Sequence, residues 1–122
     1  MDGVRSHMKP EKILVVDDES RIVDNISRCL NREGFDVAGA ENGARALALF
    51  EKTCFDLILL DISMPELDGY ETMDRILEKD PEAVIIIMTG FASVESAVKA
   101  LKQGAWDYLK KPFEYAELIK TV

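Results

Sequence analysis

At 122 residues the chain has the size of one domain, able to bury roughly two-thirds of its unfolded surface and fold without staples. Its two cysteines, Cys29 and Cys54, fit no metal or redox spacing and read as small buried hydrophobes. A net charge of −8, with no basic run longer than Lys110-Lys111, argues against direct nucleic-acid binding; nothing resembles a signal peptide or a membrane span, so no membrane contact and a cytoplasmic setting are expected.

Residues 1–7, MDGVRSH, belong to no periodic pattern and read as an expression-tag remnant, which leaves 8–122 as the domain. Residues 12–17 then form a first strand, and Ile22, Val23, Ile26, Cys29 and Leu30 recur at helical spacing up to Gly34. Residues 36–40 (DVAGA) give a weaker second strand, and Asn42-Gly43 opens a helix carrying Ala46, Leu47 and Phe50. Residues 56–61 form a third strand, Met64-Pro65 turns the chain, and Leu67, Tyr70, Met73 and Leu77 mark the next helical face. That helix stops at Asp80-Pro81, because proline disfavours helical geometry in the residue before it.

Residues 83–88 are a fourth strand. Val94, Ala97, Val98 and Leu101 define a fourth helix ended by Gly104, residues 106–109 form a short fifth strand, and 113–122 begin a last helix. The apolar positions Leu118, Ile119 and Val122 run to the end without a stop signal, so the chain reads as a piece of a larger protein.

This (βα)5 alternation implies an α/β fold, a doubly wound parallel sheet with right-handed crossovers. The first, third and fourth strands are the most apolar and should be central, which agrees with the flavodoxin-like order 2-1-3-4-5 and puts the switch point between strands one and three. Their apolar runs end at Asp17-Asp18, at Asp61 and at Thr89, so these polar groups converge on the carboxyl edge of the sheet.

Three neighbouring carboxylates raise one another's pKa, and a cation resolves the conflict. Mg²⁺ suits it, being satisfied by one or two carboxylates with waters and phosphate oxygens. A carboxylate is also a competent nucleophile toward phosphorus, and Asp61, alone at the tip of a central strand, is the natural one. Lys111 follows the fifth strand and can supply a second positive charge, while Thr89, followed by Gly90, can offer a hydroxyl to an oxyanion. Each residue has an ordinary reading: a lone Asp at a strand end is commonly a cap or turn residue, Asp17-Asp18 can decorate a helix N-terminus, Lys111 can be a solvated lysine and Thr89 a plain β-former. Capping alone does not explain three carboxylates, a lysine and a hydroxyl at one edge.

At these residues the sequence closely resembles the receiver domain of bacterial two-component response regulators. The match runs through ILVVDDE (13–19), DLILLDISMPELDGYE (56–71), VIIIMTG (84–90) and GAWDYLKKPF (104–113). Residues 89–113 look most like receivers attached to ATPase-driven enhancer-binding transcription activators. The resemblance implies phosphorylation of Asp61 by a sensor histidine kinase, with Asp18, Asp61 and the carbonyl of Ser63 holding Mg²⁺ and Asp17 acting through water. It implies that Lys111 pairs with the phosphoryl group, and that Thr89 moves toward it and draws Tyr108 inward. The surface of the fourth helix, fifth strand and fifth helix would then change, controlling an output domain of the parent protein, with a phosphorylation-dependent homodimer as the expected assembly. The Lys111-Pro112 bond is expected to be cis.

Such a domain is a switch and not an enzyme, catalysing only its own phosphorylation and dephosphorylation. Three other readings fare worse. A Mg²⁺-dependent phosphatase with an Asp nucleophile commonly carries a second Asp two residues on, where this chain has Ser63. A flavin mononucleotide carrier needs a Gly/Ser/Thr-rich phosphate loop after the first strand, and DDES stands there instead. A degenerate, purely protein-binding receiver would have lost some of Asp18, Asp61, Thr89 and Lys111, and all four are present.

Overall fold

The computed structural model describes residues 11–62, 69–89, 94–111 and 114–121, with the backbone alone at Thr89, residues 94–97, 115 and 121. Five strands, β1 (Lys12–Val16), β2 (Asp36–Ala40), β3 (Leu57–Asp61), β4 (Ile85–Thr89) and β5 (Asp107–Lys110), alternate with five helices. These are α1 (Ser20–Arg32), α2 (Gly43–Lys52), α3 (Gly69–Lys79), α4 (Val94–Gln103) and α5 (Tyr115–Thr121). The strands form one parallel sheet in the order β2-β1-β3-β4-β5. The three most apolar strands are thus central and the polar ones are edges, as expected from their composition.

Burial on both faces explains the uninterrupted apolar runs. Alternate residues feed two cores: Ile13, Val15, Leu57, Leu59, Ile86, Met88 and Leu109 pack with Val23, Ile26 and Leu30 of α1 and Leu118 of α5. Leu14, Val16, Ile58, Leu60, Ile85 and Ile87 pack with Ala46 of α2, Met73 and Ile76 of α3 and Ala100 of α4. Helix signals act where the sequence puts them. The Asn42 side chain accepts from the Arg45 N–H at 2.8 Å to cap α2, and α3 ends at Lys79, just before Asp80-Pro81.

The structure differs from the sequence reading in several places, among them the fourth strand, which runs over Ile85–Thr89 rather than 83–88. Cys54 is exposed and Cys29 only half-buried, because Cys54 lies in the surface connection after α2 and not on a core face. The fifth strand begins at Asp107 rather than at Trp106, which stands 73% exposed although its N–H still donates to the Ile85 carbonyl at 2.7 Å. Among the described side chains of α4, Ala100 is buried against the sheet, while Val98 and Leu101 are exposed. A small side chain lets the helix lie close on Ile85 and Ile87, and Val98 and Leu101 are left exposed, as are Trp106 and Tyr108.

Candidate functional site

The alternation that divides the two cores also assembles the site. Counting two residues on from Val15, Leu59 and Leu109, all in the core under α1 and α5, gives Asp17, Asp61 and Lys111 on the same side of the sheet at its carboxyl edge. Asp61 closes β3 opposite Met88 of β4, and the Asp17 N–H donates to the Ala40 carbonyl at 3.1 Å, extending the pairing of β1 with β2. Both carboxylates are buried, Asp17 completely, whereas Asp18 faces solvent.

The Lys111 ammonium reaches across from the end of β5 and donates to Asp17 Oδ2 at 2.5 Å and to Asp61 Oδ2 at 3.4 Å. Its side chain is only 16% exposed, so it is not a solvated surface lysine. Burial acts to lower its pKa, but the hydrogen bond to Asp17 and the charges of Asp61 and Asp17 outweigh that and hold it above the ordinary lysine value. The second Asp17 oxygen accepts the Glu19 N–H at 3.0 Å, so one carboxylate both turns the chain into α1 and serves the site.

One oxygen from each of Asp17, Asp18 and Asp61 lies within 4.8 Å of the others. At that separation like charges repel one another, most strongly between the buried Asp17 and Asp61, where water screens least. One ammonium cannot offset three carboxylates. The set fits a hard divalent cation: all donors are oxygen, two are held rigidly in the fold, and the exposed third leaves an open side for water or a phosphate.

Of the residues expected at the site, Asp17, Asp18, Asp61 and Lys111 therefore come together. Thr89 is the last residue of β4, paired with Lys110, and its side chain lies outside the described residues, as do Ser63 and the Lys111-Pro112 bond. Tyr108 is not at the site; it is 42% exposed on β5. Sequence reasoning missed Gly69. A Cβ there would sit 2.3 Å from Ile62 Cα and 2.7 Å from the Asp61 carbonyl oxygen, so only glycine lets the start of α3 lie on the backbone that carries Asp61. The Asp68-Gly69 pair was the available signal, read only as part of a motif.

Comparison with known proteins agrees with this geometry. The chain is 44% identical over 110 residues to the transcriptional regulatory protein ZraR of Klebsiella oxytoca, covering 90% of this chain and 25% of that protein. It is 41% identical over 107 residues to the regulatory protein AtoC of Escherichia coli, covering 88% and 23%. The crystal structure of NtrX from Brucella abortus with ADP superposes with a TM-score of 0.86 at 36% identity, over 92% of this chain and 25% of that one. The chain thus spans about a quarter of the length of these relatives. They bear out the likeness to receivers of the enhancer-binding kind. The description "response regulator receiver domain" matches residues 13–122, and the chain belongs to that family.

Proposed function

We propose that Asp61 is the phosphoacceptor, receiving a phosphoryl group from a phosphohistidine of a sensor histidine kinase. The observation that supports this reading is the buried Asp61 sharing one lysine with Asp17 at the carboxyl edge of the sheet. In the transfer an Asp61 carboxylate oxygen forms a bond to phosphorus as the phosphorus–nitrogen bond to the imidazole breaks, and the released imidazole nitrogen takes up a proton as needed. Asp18, Asp61 and the Ser63 carbonyl would hold Mg²⁺, with Asp17 acting through water, and such an ion would supply positive charge beside the transferring oxygens. Lys111, already cationic and aimed at Asp61 Oδ2, is placed to pair with a phosphoryl oxygen in exchange for part of its bond to Asp17.

Thr89, at the end of β4, would bond the phosphoryl group in one state better than in the other and so couple it to Tyr108 and to α4. Val98 and Leu101 of α4, Trp106 just before β5 and Tyr108 within it are exposed, which suits a surface whose partner, an output domain or a second copy, changes with phosphorylation. In this reading the domain turns over no separate substrate, works in the cytoplasm and governs a transcriptional output in the longer protein.

With Mg²⁺ and acetyl phosphate, intact-mass spectrometry should show one added phosphoryl group, labile to hydroxylamine and absent in Asp61→Asn. Equal labelling of that variant would overturn the assignment.

A further inference from the structure

Helices α3 and α4 follow parallel strands on the same face of the sheet and run in the same direction. Between them lie two side-chain rungs one helical turn apart. Lys99 Nζ stands 4.4 Å from the centre of the Tyr70 ring, within cation–π range. Four residues on, Gln103 Nε2 donates to Asp74 Oδ1 at 2.7 Å and to the Tyr70 carbonyl at 3.2 Å. Both members of each helix are spaced by four residues, so each pair shares one helix face. Beyond them Gly104, at φ 129°, lies so close to α3 that a Cβ would meet Leu77 Cδ1 at 2.8 Å.

Among the described side chains of α4, the small Ala100 is buried against the sheet, while Val98 and Leu101 are exposed. A buried methyl group sets depth but by itself resists rotation poorly. Rotation of α4 about its axis, or a slide along α3, removes both polar rungs together.

We propose that Lys99 and Gln103 form a clasp on Tyr70 and Asp74 that fixes the resting register of α4 on α3, and that phosphorylation works against it. The proposal rests on the phosphoacceptor reading above and deepens it. Only residues 90–93 separate Thr89 from α4, so a pull at the phosphoryl site enters at the start of the helix while the clasp holds its second half. A ligand that prefers the displaced helix must break the clasp, and its apparent affinity is lowered by the population still clasped.

The test uses Gln103→Leu, Lys99→Met and the double variant, all at positions outside the core. Hydrogen exchange of the α4 amides at 98–103 should speed up in the unphosphorylated protein, most in the double variant. Beryllofluoride with Mg²⁺, a phosphoryl mimic, should bind about threefold more tightly to each single variant, the scale of one exposed polar contact. Asp74→Asn, which keeps an acceptor for Gln103, should leave both readings near the parent. Unchanged α4 exchange in the double variant overturns the clasp. Faster exchange with unchanged or weaker beryllofluoride binding overturns its opposition to phosphorylation. If the parent itself binds no more beryllofluoride than Asp61→Asn does, the phosphoacceptor reading fails, and the exchange rates alone decide whether the clasp exists.

Discussion

Lys111 is the residue on which the resting site depends, because it is a cation that the two buried carboxylates Asp17 and Asp61 share. Removing one partner of such a pair is costly, and in Mg²⁺-free buffer Lys111→Met should lose about 2–3 kcal/mol of stability by urea unfolding. The same variant should bind Mg²⁺ more tightly than the parent, since the incoming ion no longer meets an ammonium. The alkaline behaviour has a definite sign. The folded pKa of Lys111 is raised, so its contribution is complete below the unfolded value of about 10.4 and is lost as the pH rises through the folded one. As the pH rises from neutrality, the stability gap between parent and variant should therefore hold until strongly alkaline pH and narrow there. A gap that narrowed near neutrality would show that another group carries the effect.

At the scale of elements, the contact of α3 with β3 is set by Gly69, and two effects compete when alanine replaces it. Helix propensity favours alanine by about 1 kcal/mol. The Cβ, however, would meet backbone atoms of Asp61 and Ile62 at well under contact distance, and backbone cannot yield as a flexible side chain can. Overpacking of this kind costs about 1–3 kcal/mol and sometimes more. Gly69→Ala should then melt below the parent, by up to about 10 °C if the larger cost applies, and should slow labelling of Asp61 by acetyl phosphate, because the displaced backbone is the one that carries the nucleophile. An unchanged melting temperature would mean that α3 relaxes away at no cost.

The elements themselves were legible because each central strand is buried on both faces and so reads as an unbroken apolar run. Asn42 and the Asp80-Pro81 pair punctuate the helices visibly. The orientation of α4 was not legible: the spacing of its apolar residues marks a helix without saying which side is covered, and among the described side chains Ala100 is buried while Val98 and Leu101 are exposed. Periodicity cannot choose between two apolar faces when one is meant for the outside. The carboxylates could be gathered from strand ends, but the pairing of Lys111 with Asp17, 94 residues away, and with Asp61, 50 residues away, follows only once the register of β5 on the sheet is fixed.

For the molecule as a whole, a net charge of −8 repels polyanions and so favours a protein partner for the output proposed above. The chain holds a single tryptophan, and Trp106 stands 73% exposed beside Tyr108 on that same surface. The protein is therefore its own optical probe. In the resting state its fluorescence should have the long-wavelength maximum of a hydrated indole and should be readily quenched by acrylamide. If beryllofluoride brings two copies together through α4 and β5, the emission should move to shorter wavelength and resist quenching, more so at higher protein concentration, while sedimentation reports the heavier species. Dimerisation that left the emission and its quenching unchanged would place the joined surface elsewhere, since burial of this indole cannot be spectroscopically silent.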